Sequence, residues 1–290
     1  MKFRYLIILA VFGALVFYFY KFHPVKNSTE TGVVTSFYPL YFFTTQIAGD
    51  KASVYNITPA GAEPHDYEPT TQDVARIEDS KLLIINGGKL EPWGDSMTAS
   101  LKGSQTTVVV AGNNGVGDPH VWLDPVLAKN EVAAILNGLT VAFPTNADYY
   151  KTNAQNLENK LDALDAEYRT GLSSCQKKDF VTAHAAFGYL AKEYGLNQVA
   201  ISGISPDEEP SPQKLTEVAD FVKTNNIKYI FFESLTSPKL SDTIARETGA
   251  QTLVLNPLEG LTNAEISQGK NYFTVMTDNL NNLRIALQCQ

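Results

Sequence analysis

The sequence has no excess of positive charge: 23 Lys and Arg against 31 Asp and Glu give a net charge of −8. Lys177 and Lys178 form only an isolated basic pair. Because nucleic-acid-binding proteins neutralise phosphates with clustered Lys and Arg, we expect no nucleic-acid partner. A hydrophobic content of 44% excludes a disordered chain, and 290 residues suffice for one large domain or two lobes.

Histidine and cysteine are scarce, with four and two residues respectively. The sequence contains no His-Glu-x-x-His motif, which many zinc hydrolases carry on a helix. The two cysteines, Cys175 and Cys289, are expected to form a disulfide, because thiols outside the cytoplasm are usually oxidised. The alternative is a pair of free thiols.

A long apolar run is present at the N-terminus, where Lys2 and Arg4 precede apolar residues 5–20. Its length lies between that of a signal-peptide core and that of a membrane span. No small-residue cleavage site and no lipid-accepting cysteine follows it. We therefore expect residues 1–26 to form an uncleaved signal anchor and residues 27–32 a linker. The body would then lie at the extracytoplasmic face of the cell membrane.

Beyond the linker, short β-like runs alternate with helical segments such as 71–80, 212–225 and 237–248. This alternation predicts an α/β protein with parallel sheets flanked by helices. The strands fall into two groups of four, which suggests two lobes. The predicted strands are 33–35, 54–57, 82–85 and 106–110 in the first group, and 180–183, 199–201, 229–232 and 252–255 in the second.

One long amphipathic helix separates the two groups, because apolar residues recur every three or four positions over residues 146–172. At 1.5 Å per residue it would be about 40 Å long, enough to traverse both lobes. We expect an N-terminal lobe over 33–143, a connecting segment with this helix over 144–174, and a C-terminal lobe over 175–290. A stiff connection of this kind predicts a cleft that moves little.

Three of the four histidines follow predicted strands, whereas His23 flanks the predicted anchor. His65 and His120 lie in loops beyond strands of the first group, and His184 directly follows a strand of the second. Ligands of open α/β sheets bind at the carboxyl ends of the strands. A single histidine in such a loop is more often structural, but three from two lobes predict a metal site in the cleft. Neutral imidazole is a common metal ligand, and three imidazoles with a carboxylate suit Zn²⁺.

A fourth ligand is expected from the second group of strands. Glu259 follows the last strand and is the first candidate. Glu233 follows residues 229–232 and is the second, although it could instead orient a histidine through the ring's other nitrogen. Asn256 is the third, because a neutral amide is a poor zinc ligand.

Several motifs resemble the TroA-like solute-binding proteins of metal ABC importers, in the family's order and over about residues 33–287. They are Pro-Ala-Gly-Ala-Glu-Pro-His-Asp-Tyr-Glu-Pro-Thr at 59–70, Asn-Gly-Gly-Lys-Leu-Glu-Pro-Trp at 86–93, Asp-Pro-His-Val-Trp-Leu-Asp-Pro at 118–125, Thr-Ala-His-Ala-Ala-Phe-Gly-Tyr-Leu at 182–190 and Gly-Ile-Ser-Pro-Asp-Glu-Glu-Pro-Ser-Pro at 203–212. The resemblance implies two lobes joined by one long helix, with a metal ion between them.

Within that family, histidine at position 184 resembles the zinc-specific members, whereas manganese-type members carry Glu there. The chain has Asn256 where many relatives have an Asp ligand, and its segment 256–262 resembles the AdcA-like branch, in which the glutamate is the ligand. The resemblance thus implies Glu259 as the fourth ligand. The histidine-rich loop of many zinc receptors is absent, since residues 89–119 hold no histidine before His120.

The expected function is that of an extracytoplasmic receptor, not an enzyme, which binds Zn²⁺ as cargo through His65, His120, His184 and Glu259. Its expected partners are the permease and ATPase of an ABC importer, with the chain itself a monomer tethered to the membrane. The alternatives are a manganese or iron receptor of the same family, a metal-dependent adhesin, and, less favoured, a zinc hydrolase with Glu233 or Glu208 as base.

Overall fold

The computed structural model describes residues 32–88, 90–112 and 117–290. The predicted anchor and most of the predicted linker lie outside the described residues. Among those residues, no helix combines the length and the apolar character that a membrane span needs.

The first lobe is built on a four-stranded parallel sheet with the strand order β2-β1-β3-β4. The central strands β1 and β3 are buried along their whole length, because helices cover both faces of the sheet. This explains their continuous apolar sequences. The strands are β1 (Val33–Thr35), β2 (Val54–Asn56), β3 (Leu82–Ile85) and β4 (Thr107–Val110).

Four helices belong to this lobe. They are α1 (Tyr38–Ala48), α2 (Thr71–Glu78), α3 (Gly94–Ser100) and α4 (Pro125–Ala142). Helix α4 begins where Asp124 accepts hydrogen bonds from the backbone N–H groups of Val126 and Leu127. This N-cap satisfies amides that the first helical turn leaves without partners. It also fixes the start of α4 only five residues after His120.

The second lobe repeats the arrangement, with a parallel sheet of strand order β6-β5-β7-β8. Its strands are β5 (Asp179–Thr182), β6 (Asn197–Ala200), β7 (Tyr229–Phe232) and β8 (Gln251–Val254). Three of them begin one or two residues earlier than predicted, because ladder hydrogen bonds extend each strand beyond its apolar centre. The helices that follow the connecting helix are α6 (Gly188–Glu193), α7 (Pro212–Thr224), α8 (Lys239–Thr248), α9 (Asn263–Ser267) and α10 (Tyr272–Ala286).

The connecting helix α5 (Ala147–Leu172) has 26 residues, which corresponds to about 39 Å. It packs against α1 and α4 of the first lobe and against α10 of the second. Its buried face consists of the apolar positions that the sequence pattern indicated: Tyr150, Ala154, Leu157, Leu161, Leu164, Tyr168 and Leu172. A short 3-10 turn, Pro144–Asn146, leads into it.

The predicted α/β fold with two parallel sheets and one long connecting helix is therefore confirmed. The boundaries assigned to the individual lobes stay predictions. The predicted disulfide is also present: Cys175 and Cys289 are bonded, which joins the start of the second lobe to the end of the chain, just beyond α10.

Candidate metal centre

Loops beyond the carboxyl ends of β2 and β4 present the two histidines of the first lobe. The His65 side chain is 6% exposed, and its backbone N–H donates a hydrogen bond to Glu63 at 3.4 Å. In the same loop, the backbone N–H of Gly61 donates to the carbonyl oxygen of Leu261 at 3.0 Å. This bond ties the His65 loop directly to the loop of the second lobe that follows β8.

His120 is wholly buried and stands immediately before a 3-10 turn, Val121–Leu123. Its backbone N–H and its ring Nδ1 both donate to Oδ1 of Asp118, at 3.0 and 2.6 Å. Because a carboxylate only accepts, Nδ1 carries a ring proton, and Nε2 is the ring nitrogen that a metal ion would bind. Asp118 thus sets both the orientation and the tautomer of the imidazole.

His184 has the same arrangement in the second lobe. It directly follows β5, and its backbone N–H and ring Nδ1 donate to Oε1 of Glu233 at 3.1 and 2.7 Å. Glu233 is nearly buried, at 3% exposure, and comes directly after β7. Of the two roles predicted for Glu233, these hydrogen bonds support that of orienting a histidine, and the role itself stays a prediction. A carboxylate on the far nitrogen is the usual support of a metal-binding imidazole.

Asn256, the third candidate for the fourth ligand, is instead part of the turn that carries Glu259. Its side-chain oxygen accepts a hydrogen bond from the backbone N–H of Leu258 at 2.7 Å. Its amide nitrogen donates to Ser234 and to Glu265, at 2.8 and 3.0 Å. Leu258 has a φ of +58°, which a leucine rarely adopts, so the side chain of Asn256 holds a strained turn in place.

The four side chains expected to form the site meet in the cleft between the lobes. Oε1 of Glu259 lies 3.3 Å from Nε2 of His65, 3.0 Å from Nε2 of His120 and 3.3 Å from Nε2 of His184. The Nε2 atoms of His120 and His184 are 3.3 Å apart, and all four candidate ligand atoms lie within 4.8 Å of one another.

These separations suit a tetrahedral zinc site. Zn–N bonds of about 2.0–2.1 Å place neighbouring nitrogens about 3.3 Å apart around the ion. The wholly buried Glu259 also has one carboxylate oxygen, Oε2, that receives no hydrogen bond from the described residues. Burying an acceptor without a donor lowers the stability of the folded protein, and a cation bound beside it would remove this loss. The residues present therefore fit a bound zinc ion.

The charges of the cluster are strongly coupled. Burial favours the neutral form of His184, but the carboxylates of Glu259 and Glu233 outweigh this and raise the pKa of His184 well above its usual value. The pKa of His120 is raised in the same way, against burial, by Asp118 and Glu259. Burial opposes ionisation of Glu259 too, yet the imidazoles hold the pKa of Glu259 well below its usual range. Without a metal, the carboxylate of Glu259 and the imidazoles of His120 and His184 therefore favour each other's charged forms.

Sequence reasoning missed two carboxyl groups beside the site. Asp118 orients His120, and its position two residues upstream was the only available signal. Glu63 stands two residues before His65, and its carboxyl group interacts with that of Glu259. Burial, reinforced by the charge of Glu259, raises the pKa of Glu63 to about 9. Its position two residues before His65 was again the only signal in the sequence.

Two parallel α/β lobes, bridged by a long helix and holding three imidazoles and a carboxylate in their cleft, define a binding protein of the metal-receptor type. The sequence profile of the family described as "Zinc-uptake complex component A periplasmic" (ZnuA) matches residues 33–286. The chain belongs to this family, which confirms the resemblance seen in the sequence motifs.

Individual relatives agree with this assignment. The chain is 42% identical over 278 residues to the high-affinity zinc uptake system protein ZnuA of Bacillus subtilis, covering 88% of this chain and 87% of that protein. It is 38% identical over 304 residues to the zinc-binding protein AdcA of Streptococcus pyogenes serotype M1. That match covers 93% of this chain but 59% of AdcA, so the chain spans less than two thirds of the AdcA protein.

A solved structure shares the fold. The Zn(II)-bound ZnuA-like domain of AdcA from Streptococcus pneumoniae superposes with a TM-score of 0.79 at 42% sequence identity. The match covers 89% of this chain and 99% of the domain. The likeness therefore extends over both lobes.

Proposed function

We propose that this protein is a receptor that binds Zn²⁺ with high affinity outside the cytoplasm and delivers it to an ABC importer. His65, His120 and His184 supply three neutral imidazole nitrogens, and Glu259 supplies a carboxylate oxygen. The observation that carries the proposal is the convergence of these four atoms within 4.8 Å, between two lobes of a zinc-uptake family member.

The ligand set supports capture of the metal without catalysis. Four protein ligands fill a tetrahedral shell, whereas catalytic zinc sites keep a position open for water. Glu233, the base considered for a hydrolase, already accepts two hydrogen bonds from His184. We infer that the protein is not an enzyme. Three nitrogen ligands with one carboxylate also favour zinc over manganese, which prefers oxygen ligands.

Membership of the zinc-uptake family supports an extracytoplasmic location and an importer as the partner. We propose that the receptor works at the extracytoplasmic face of the cell membrane as a monomer, tethered by residues 1–26. A permease with its ATPase would accept the ion. Protonation of the imidazoles competes with metal binding, because an imidazolium cannot act as a ligand.

Calorimetric titration of the metal-stripped full chain, kept soluble in mild detergent, tests the proposal. Zn²⁺ should bind with a stoichiometry of one and much more tightly than Mn²⁺. His184→Ala should weaken zinc binding by more than about a hundredfold, whereas His23→Ala is the matched control and should change nothing. Tighter binding of Mn²⁺, or an unchanged affinity in His184→Ala, would contradict the zinc assignment.

A further inference from the structure

The peptide unit between Pro119 and His120 is held at both of its polar ends. Its N–H group, which belongs to His120, donates a hydrogen bond of 3.0 Å to Asp118. Its carbonyl group, which belongs to Pro119, accepts a hydrogen bond of 3.0 Å from the side-chain nitrogen Nδ2 of Asn86. Because a peptide unit is planar, two bonds at opposite ends fix its rotation. The direction in which the backbone enters His120 is therefore fixed as well.

Asn86 brings this support from another part of the lobe. It directly follows β3, whereas His120 lies in the loop beyond β4, and the bond to Pro119 joins residues 33 positions apart. The carbonyl oxygen of Pro119 also accepts the backbone N–H of Val121 at 2.8 Å, but that bond lies within the His120 loop. It shapes the loop, whereas the bond from Asn86 attaches the loop to the end of the sheet.

Asn86 is wholly buried and is itself firmly placed. Its backbone N–H donates to Oε1 of Glu91 at 2.7 Å, and its backbone carbonyl oxygen accepts from Gly112 at 3.0 Å. Its Nδ2 also donates to the carbonyl oxygen of Gly87 at 3.2 Å. Since the two carbonyl oxygens beside this end of the amide only accept, the nitrogen must face them. The donor to Pro119 thus has one defined orientation.

Gly112 makes room for the side chain of Asn86. A Cβ atom on Gly112 would lie 2.3 Å from Oδ1 of Asn86 and 2.7 Å from its Cγ. Oδ1 is buried and receives no hydrogen bond from the residues that the structure describes. The side chain of Asn86 therefore acts through its nitrogen, as a donor to the two carbonyl groups.

We propose that Asn86 is a positioning residue for zinc binding, which acts through the Pro119–His120 peptide unit and does not contact the ion. The inference rests on the proposed zinc-receptor function and adds to it a support for His120 that comes from the sheet. Asp118 holds the ring of His120, and Asn86 holds the backbone that carries the ring. Without Asn86 the imidazole would still be present, but binding would have to order its backbone, which lowers the affinity.

Asn86→Ala tests the proposal in the full chain, kept in mild detergent. Loss of the amide should raise the Kd for Zn²⁺ in a chelator competition by about tenfold or more. The visible absorption bands of the Co²⁺-loaded protein report the ligand geometry, and they should change in shape or intensity. Asn86→Asp keeps the shape, and a buried carboxyl group stays protonated and offers one donor. Its Kd should lie between the other two, which keeps the test possible if the alanine variant fails to fold.

A double-mutant cycle with His120→Ala separates positioning of the ligand from a general effect on the fold. If Asn86 acts through His120, Asn86→Ala should change the Kd of the His120→Ala protein by less than about twofold. Equal weakening in the presence and absence of His120 would overturn the inference. An unchanged Kd and cobalt spectrum in Asn86→Ala, or an unchanged Kd in Asn86→Asp when only that variant folds, would overturn it too.

Asn153→Ala is the matched control. The amide of Asn153, on α5, also donates to a backbone carbonyl group, that of Ile47 on α1, at 3.1 Å. Its loss should lower the melting temperature but leave the Kd for Zn²⁺ unchanged. A weakened Kd in this control would show that any lost hydrogen bond weakens binding, which would overturn the inference. An unchanged Kd in His120→Ala alone would instead overturn the proposed function.

Discussion

The indole Nε1 of Trp122 donates a hydrogen bond of 2.7 Å to the carbonyl oxygen of Pro257, across the cleft between the two lobes. Trp122 stands two residues after His120, and Pro257 stands two residues before Glu259. The bond therefore fixes the distance between two proposed ligands that belong to different lobes. The carbonyl oxygen of Trp122 in turn accepts a hydrogen bond of 2.5 Å from the hydroxyl group of Tyr272.

Trp122→Phe should weaken zinc binding by about tenfold, because the change removes the donor that holds the Glu259 loop against the first lobe. The buried carbonyl group of Pro257 then lacks its partner, and the free energy of unfolding should fall by about 1–3 kcal/mol. Chemical denaturation and a chelator competition measure the two effects. Trp93→Phe loses the same ring volume in a different core cluster of the first lobe and should leave the affinity intact. Equal affinities in both variants would argue against the bridge.

Glu233→Gln should weaken zinc binding by about 10–100-fold, although Glu233 is not among the proposed ligands. The amide is a weaker acceptor for Nδ1 of His184, so the imidazole loses basicity and its fixed orientation. Calorimetry measures the affinity directly. Glu247→Gln, on helix α8, is a control for the loss of one negative charge in the same lobe. If both variants bind alike, Glu233 does not support the histidine.

The stability of the metal-free protein should depend on pH through the imidazole–carboxylate pair. The pKa of His184 is raised in the folded state, so its contribution is complete below the unfolded value of about 6.5 and is lost as the pH rises through the folded pKa. The pKa of Glu259 is lowered, so its contribution is complete above about 4.3 and is lost as the pH falls through the folded pKa.

The pair should therefore stabilise the metal-free protein most in mildly acidic solution, whereas stabilisation by added Zn²⁺ should grow towards higher pH. Urea denaturation over a pH series, with and without Zn²⁺, measures both trends. His184→Asn removes the titrating ring, so the decline in stability towards higher pH should become smaller in this variant. An identical pH profile in the variant would show that other groups cause it.

Glu131→Met should stabilise the protein. Glu131 is wholly buried in helix α4, and neither carboxyl oxygen has a hydrogen-bond partner among the described residues. Burial is the main cause, and the nearby Glu91 the smaller one, that raises the pKa of Glu131 well above its usual value. An apolar side chain of similar size removes an unpaired polar group, so the free energy of unfolding should rise by about 1–3 kcal/mol.

Thermal denaturation of the metal-free protein checks this prediction, and Glu91→Met is the informative comparison. Glu91 is also buried but accepts three hydrogen bonds, so its replacement leaves three donors without partners and should destabilise the protein. Destabilisation by Glu131→Met would show that the carboxyl group has a partner, such as a buried water molecule.

Much of the fold could be predicted because its signals are local. The spacing of Leu157, Leu161 and Leu164 indicates the buried face of α5 directly, and the apolar run at 82–85 coincides with β3. The starts of strands, which depend on pairing with a distant segment, were predicted less well. Three strands of the second lobe begin earlier than their apolar runs because a ladder can include a polar end, as at Asp179 and Gln251.

The sequence by itself indicated which side chains are candidate metal ligands. Only His65, His120 and His184 were available beyond strand ends, and their residue types already favoured zinc. The tertiary structure decided the contacts of the surrounding polar groups: Glu233 accepts hydrogen bonds from His184, Asn256 builds the turn before Glu259, and the carboxyl group of Glu63 interacts with that of Glu259. These roles depend on contacts between segments far apart in the chain. A proposed ligand differs from the residue that orients it in its hydrogen-bond direction and its burial. Both properties exist only after the two lobes have folded together.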